Sequence, residues 1–272
     1  MHIRRWCLLA VTLPILANAE VYRWTDGQGR SHYSDRNHAD AQVLHIDSGI
    51  SYYRVEKVFD GDTILLNDGR KVRLLGVNTP EVSGRNKSAE SGGERAKQWL
   101  KSKLEQRKVF LQGDVEKQDK YQRTLAYVYD ENKQLVNLEL VKNGLATVNI
   151  YPPNLRYVPA LLAAQDDAER NHIGIWSDPA YAPIAAEQLD QTNYQGWKRL
   201  TGKVSLLKRT AKHSYLLLSD AVSIAIESAS MALFADLEGY VGRQVEARGW
   251  VRRSKGRFYL TVRHPADIRS SP

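Results

Sequence analysis

The sequence predicts a β-rich α+β protein: a five-stranded barrel with accompanying helices, followed by a second, barrel-like unit. Three observations lead there. Residues 51–180 alternate strand-like apolar segments with stretches of helical spacing. Residues 196–272 show the order strand–strand–strand–helix–strand–strand. Residues 181–195, YAPIAAEQLDQTNYQ, lose hydrophobic periodicity and read as a linker between the two. At 272 residues, with 42% hydrophobic and 26% charged side chains, the chain has ample material for two cores and excludes a disordered class.

In order, residues 1–19 read as a secretory signal. Arg4 and Arg5 form the charged start, Trp6 to Leu16 the apolar stretch, and Ala17-Asn18-Ala19 a small-x-small cleavage site. Cleavage is expected after Ala19, giving a periplasmic or secreted protein by the general or the twin-arginine route. The apolar run is too short to span a bilayer and contains Pro14, so no membrane attachment is expected after cleavage. Cys7, the single cysteine, leaves with the signal, and the remaining chain has no disulfide.

Residues 20–50 form a small unit. Val21–Trp24 and Ser31–Tyr33 flank Asp26-Gly27-Gln28-Gly29, a β-hairpin pattern. Its Tyr22-x-Trp24-x-Asp26, turn glycine and Tyr33-Ser34-Asp35 resemble a short domain of unknown function found behind the signal peptide of many secreted proteobacterial proteins. Docking on the main domain is expected, since a lone hairpin is marginal in water; a glycan-binding or partner-binding role for its aromatics is the alternative.

In residues 51–180, strands are predicted at Arg54–Phe59, Thr63–Leu66, Lys71–Val77, Lys108–Gln112 and Leu125–Tyr129. Asn67-Asp68-Gly69-Arg70 makes the hairpin turn between the second and third. Helices are predicted from Gly93 to Leu104, with Ala96, Trp99, Leu100 and Leu104 at helical spacing, from Leu135 to Asn143 ahead of Gly144, and from Val158 to Asn171. Five strands with interspersed helices suggest a small closed barrel of the OB type.

In residues 196–272, strands are expected at Gly202–Lys208, Tyr215–Ser219, Val222–Glu227, Gln244–Val251 and Arg257–Val262, with a short helix at Met231–Tyr240. This again fits an OB-like barrel. Trp250, Phe258 and Tyr259 interleave with Arg248, Arg252, Arg253, Arg257 and Arg263. That pattern suits a single-stranded nucleic-acid surface; equally, the aromatics fill the barrel and the arginines coat it. The formal net charge is +8, and residues 181–272 carry 14 Lys and Arg against 8 Asp and Glu. A basic region favours polyanions, although the same excess also serves solubility.

The chemistry concentrates in Asp60–Glu81, DGDTILLNDGRKVRLLGVNTPE. Hydrolysing a phosphodiester requires an activated water, a cation against the phosphate, and donors for the developing charge. Glu81 has the chemistry of a general base, and Asp62 with its neighbours that of an oxygen site for Ca²⁺. Arg73 and Arg123 have that of bidentate phosphate ligands. Each has a plain alternative. Asp60-Gly61-Asp62 makes a turn, Arg73 points outward from a strand, Glu81 caps a turn, and Arg123 pairs with Asp119. Their joint occurrence in order decides against those alternatives.

Val58-Phe59-Asp60-Gly61-Asp62-Thr63, Arg73-Leu74-Leu75-Gly76-Val77-Asn78-Thr79-Pro80-Glu81 and Asp119-Lys120-Tyr121-Gln122-Arg123, followed by Gly144-Leu145-Ala146 and Ile173-Gly174-Ile175-Trp176, resemble the staphylococcal nuclease (thermonuclease) family over about residues 52–178. The resemblance implies an OB-barrel, Ca²⁺-dependent, sugar-nonspecific endonuclease that cuts DNA and RNA, single strands preferred, leaving 5′-hydroxyl and 3′-phosphate ends. It implies Arg73 and Arg123 as the phosphate-binding arginines and Glu81 as general base. Asp62 would be a metal carboxylate, Thr79 a metal ligand through its carbonyl, and Lys120, Tyr121 and Tyr151 contacts to the nucleotide. The family's second metal carboxylate falls on Asn78, so one negative charge is missing and weaker Ca²⁺ binding, or tolerance of another divalent ion, is expected. Gln122 stands at a position that is often glycine, and the loop Val82–Gly93 also differs. A monomer is expected. The competing readings are a catalytically weakened nucleic-acid-binding module of the envelope, and an envelope interaction protein that works through residues 20–50.

Overall fold

The computed structural model describes residues 21–38, 40–44, 51–84 and 89–270. Residues 1–19, read from sequence as an export signal, and with them Cys7, lie outside the described residues. Two compact units divide the chain at residues 50 and 51.

In the first unit, β1 (Val21–Thr25) and β2 (Ser31–Ser34) form the expected hairpin, and β3 (Gln42–Leu44) adds a third strand against β1. Asp26 closes the turn, accepting from the backbone N–H groups of Gln28 and Arg30 and bonding His32 at 2.8 Å. The Trp24 indole stacks on His32 and on His38, with ring centroids 5.3 and 4.6 Å away.

The second unit opens with β4 (Tyr52–Asp60), β5 (Thr63–Leu66) and β6 (Lys71–Leu74). The short β7 (Val77–Asn78), β8 (Lys108–Gln112) and β9 (Thr124–Tyr129) follow. β4, β5, β6, β9 and β8 close into a barrel in that order, with β6 and β9 parallel. Ile64 and Leu66, and Val72 and Leu74, fill it from alternate positions, and Val55 and Val58 join them across an irregularity in β4. Helix α1 (Gly93–Leu104) has the predicted bounds and buries Ala96, Leu100 and Leu104, four residues apart, on the barrel. Helices α2 (Val136–Lys142) and α3 (Val158–Arg170) pack beside it, with β10 (Thr147–Val148) pairing β7. Fully buried Asn137 bolts these pieces together. Its Oδ1 accepts from Val128 N at 2.9 Å and its Nδ2 donates to the Leu75 carbonyl at 2.8 Å.

One difference from the predicted strands matters for the site. The run Lys71–Val77 does not continue as one strand but breaks at Leu75-Gly76. Gly76 has φ +75°, and a Cβ there would meet Leu161 of α3 at 2.5 Å. The chain turns at this residue and brings Asn78–Glu81 back over Asp62.

The second half has the same strand plan. It comprises β12 (Trp197–Lys203), β13 (Leu206–Arg209), β14 (His213–Leu217), β15 (Val222–Glu227), β16 (Gln244–Ser254) and β17 (Arg257–Val262), with β11 (Ile184–Ala185) and β18 (Ile268–Ser270) at the margins. The sheet order is β11-β12-β16-β17-β15-β14-β13, with β15 and β17 parallel. β12 and β13 are successive parts of one chain segment interrupted at Val204-Ser205, and that segment pairs with β16 through β12 and with β14 through β13. Residues 181–195, read from sequence as a linker, supply β11, which pairs with β12, and send Ala186 and Leu189 into the second core. The helix expected at Met231–Tyr240 is instead two 3₁₀ turns, Ser228–Leu233 and Glu238–Tyr240. Asp236 accepts from the N–H groups of Glu238 and Gly239, an alternative to helical hydrogen bonds that ends regular structure there.

The halves of this unit are fixed to each other by ion pairs that no local pattern announces. Glu169 of α3 holds Arg248 of β16 bidentately, both bonds 2.9 Å, and Arg199 of β12 lies 2.5 Å from Glu169 and 2.9 Å from Glu246. Beside them, Trp176, Tyr181 and Trp197 form an aromatic cluster. Among the described residues, no helix is long and apolar enough to cross a membrane.

Candidate active site at the barrel rim

The site starts from Asp60-Gly61-Asp62, the tight link between β4 and β5. Gly61 is required by space: a Cβ would stand 2.6 Å from Thr79 Cγ2 and 2.7 Å from both Thr79 Cβ and Ala96 Cβ. This close approach lets Asp62, nearly buried, take the Thr79 N–H on Oδ2 at 3.0 Å and the Thr63 hydroxyl on Oδ1 at 3.1 Å. Burial and the neighbouring Asp62 carboxylate push Asp60 up to about 6. Two crowded carboxylates at a strand junction form a region that favours a cation.

Arg73 faces outward from β6, and the polar groups gather on it. Its Nη2 lies 3.0 Å from Asp62 Oδ2 and donates to Asn78 Oδ1 at 3.2 Å, while Nη1 donates to the Leu74 carbonyl at 2.6 Å. Asn78 Nδ2 in turn donates to the Thr79 carbonyl at 3.2 Å. The turn at Gly76 therefore joins Asp62, Arg73, Asn78 and Thr79 through direct contacts. The carboxylate, amide and carbonyl oxygens are hard donors of the kind Ca²⁺ and Mg²⁺ take, so the residues present fit such an ion. Arg73 Nη2, a cationic group, already bridges two of those oxygens. Among the described residues no group of three His, Cys, Asp or Glu side chains could hold a metal. With Asn at 78 and a backbone carbonyl at 79, the expected set contributes one carboxylate of its own, Asp62.

Glu81 lies two residues past Thr79, half-buried, and its backbone is held on both sides by Glu90: Glu81 N donates to Glu90 Oε2 at 3.0 Å, and Glu90 N to the Glu81 carbonyl at 2.9 Å. Glu90 thus positions the expected base. Sequence reading missed it because it sits in the loop where the family pattern is lost.

Arg123 directly precedes β9, whose Leu125 is the register partner of Arg73. Two residues along a strand share a face, so Arg123 and Arg73 belong to the same side of the barrel. Arg123 pairs with Asp119, its Nε and Nη2 both 2.7 Å from Asp119 Oδ2. The plain alternative for this arginine is therefore the observed contact, and the pair keeps the guanidinium extended beside the exposed Tyr121 ring, 5.5 Å away. Lys120 Nζ lies 5.0 Å from the same ring. Tyr151 is also exposed, and its loop is tied to the segment before Asp119 by Asn154, which accepts from Glu116 N at 2.8 Å. The structure thus brings Asp62, Arg73, Asn78 and Thr79 into direct contact. Glu81 lies two residues past Thr79, Arg123 lies just ahead of β9, the strand parallel to β6, and Lys120, Tyr121 and Tyr151 lie on loops outside the strands.

Gln122 closes the Asp119–Arg123 turn with φ +62°, in the left-handed region. Glycine adopts that conformation without the strain that a side chain brings. Replacing Gln122 with Gly is expected to raise stability by up to about 1 kcal/mol, the relief of strain offset by the larger chain entropy of glycine. Urea denaturation of both proteins measures it.

A five-stranded barrel carrying guanidinium, carboxylate and carbonyl groups at one rim has groups that suit a phosphodiester, and relatives named as nucleases place it in the nuclease class of hydrolases. The model of the family described as staphylococcal nuclease homologue matches residues 71–178. A thermonuclease of Staphylococcus intermedius is 41% identical over 127 residues, 46% of this chain and 75% of that protein. A thermonuclease of Staphylococcus hyicus is 39% identical, covering 46% of this chain and 76% of its own length. Endonuclease YncB of Bacillus subtilis is 36% identical, over 47% and 62%. The chain belongs to the staphylococcal nuclease family. Residues 7–46 match a separate domain of unknown function (DUF4124).

Proposed function

We propose that the chain is a Ca²⁺-dependent, sugar-nonspecific endonuclease of the cell envelope or exterior that cuts DNA and RNA, with single strands preferred. The observation that carries this reading is the contact chain Asp62–Arg73–Asn78–Thr79, which sets a phosphate-binding guanidinium beside an all-oxygen cation site. Arg73 and Arg123 hold the scissile phosphate and stabilise charge developing on its equatorial oxygens. Glu81, with its backbone fixed by Glu90, takes a proton from the attacking water. The water oxygen bonds to phosphorus, the P–O5′ bond breaks, and the departing O5′ takes up a proton, leaving 3′-phosphate and 5′-hydroxyl ends. A bound cation, held by Asp62, Asn78 and the Thr79 carbonyl, supplies charge neutralisation at the phosphate.

Cationic and ring contacts are available on DNA and RNA alike, which supports sugar nonspecificity. The exposed Tyr121 and Tyr151 rings offer stacking to unstacked bases, which supports the single-strand preference. Export rests on Arg4, Arg5, the Trp6–Leu16 run and Ala17-Asn18-Ala19. With purified protein, single-stranded DNA and RNA are expected to be degraded in Ca²⁺ and to remain intact in chelator; no cleavage in any divalent ion would move the reading to a nucleic-acid-binding module.

A further inference from the structure

The outer face of the second barrel carries a ladder of planar groups. Along β14, His213 and Tyr215 point outward and stack, with centroids 5.7 Å apart. Tyr215 meets Tyr259 of β17 at 5.7 Å, and Arg252 of β16 lies over Tyr259 at 5.5 Å. Strand β15 runs between the two tyrosines, and its outward positions there are Ala225, opposite Tyr215, and Ser223, opposite Tyr259. Two small residues leave a shallow floor over which the rings meet. Phe258 and Leu260, the alternate positions of β17, are buried in the core, so the core-filling reading applies to one face of the strand and leaves Tyr259 on the other.

This face leads to the nuclease rim. Strand β17 alternates, so Tyr259, Thr261 and then Arg263 just past its end form one outward row. The Arg263 guanidinium stacks on the Tyr151 ring at 4.1 Å. Its backbone is anchored by Asp267, which accepts from the N–H groups of Arg263 and His264. The bidentate Glu169–Arg248 pair and the Arg199–Glu169 contact tie the two halves together beside this face.

We propose that Tyr215, Tyr259, Arg252 and Arg263 form a single-stranded nucleic-acid track that runs across the second barrel to the exposed Tyr151 ring of the nuclease domain. The proposal rests on the nuclease reading for its substrate. The half-exposed rings, meeting over a low floor, make a platform on which unpaired bases stack, Lys208, opposite Tyr215, and Arg252 offer phosphate contacts, and Glu227 opposite His213 places an acidic group at the far end. A stiff duplex keeps its bases stacked inside and gains only the charge contacts.

The test is fluorescence anisotropy with the full mature chain in chelator, where binding is read without cleavage, using a labelled 20-nucleotide oligo-dT and a 20-base-pair duplex. The Tyr215→Ala, Tyr259→Ala double variant is expected to weaken oligo-dT binding at least tenfold and duplex binding far less, while the corresponding Phe variant retains affinity. Arg252→Ala, an exposed change that leaves the core intact, should flatten the slope of log affinity against log salt by about 0.7. Wild-type oligo-dT affinity in the alanine variant, an equal loss for duplex and single strand, or an unchanged salt slope overturns the track. Binding losses in a protein that cleaves nothing would retain the track and refute the nuclease; cleavage with no binding loss would do the reverse.

Discussion

Glu81→Gln is expected to lower kcat for single-stranded DNA by about 10²–10⁴, the usual worth of a positioned general base. The amide keeps the shape of the side chain and accepts no proton from water. Glu90 fixes the backbone of residue 81 through both its N–H and its carbonyl, independently of the side-chain charge. The folded structure should therefore persist, with KM nearly unchanged and the loss confined to kcat. Steady-state kinetics with a circular dichroism melt of the variant measures both; a variant with full kcat would remove Glu81 from the chemistry.

Gly61→Ala should damage stability and activity together. The added methyl meets Thr79 Cγ2, Thr79 Cβ and Ala96 Cβ at 2.6–2.7 Å, all short, stiff groups that cannot swing aside. Overpacking of this kind costs about 3 kcal/mol, and a shift of about 1 Å at Thr79 is worth about a hundredfold in rate. Thermal melts and cleavage rates check the two losses. Combining Gly61→Ala with Thr79→Ser, which removes Cγ2, should recover part of both. A well-folded, fully active Gly61→Ala protein would show that the link has room to move.

Much of this architecture was legible from sequence, for identifiable reasons. The hairpin turn at Asn67–Arg70 and helix α1 are local: Asp68-Gly69 dictates the first, and Ala96, Leu100 and Leu104 at one face dictate the second. The motif residues Asp62, Arg73, Asn78 and Thr79 were legible as a set, and the structure joins them by hydrogen bonds. What was hidden depends on distant partners. The break at Gly76 lies inside an unbroken apolar run and is forced by Leu161, 85 positions later. Glu90 carries no motif. The 3₁₀ turns at 228–240 follow from Asp236 competing for backbone donors, and the Glu169–Arg248 and Arg263–Tyr151 contacts join residues of separate barrels.

Asn78 ties the proposed mechanism to a number that can be measured. Asn78 accepts from Arg73 and donates to the Thr79 carbonyl, so it keeps the site assembled while contributing no charge. A unit charge about 4 Å away is worth up to about 4 kcal/mol near a protein surface, and screening leaves a fraction of it. Cleavage rate against Ca²⁺ concentration, compared between the wild type and Asn78→Asp, is the most direct test. The expected result is saturable, Ca²⁺-dependent cleavage in both, with half-saturation at least tenfold lower in the aspartate variant. An identical half-saturation, or cleavage that ignores Ca²⁺, would contradict a cation site built on Asp62, Asn78 and Thr79.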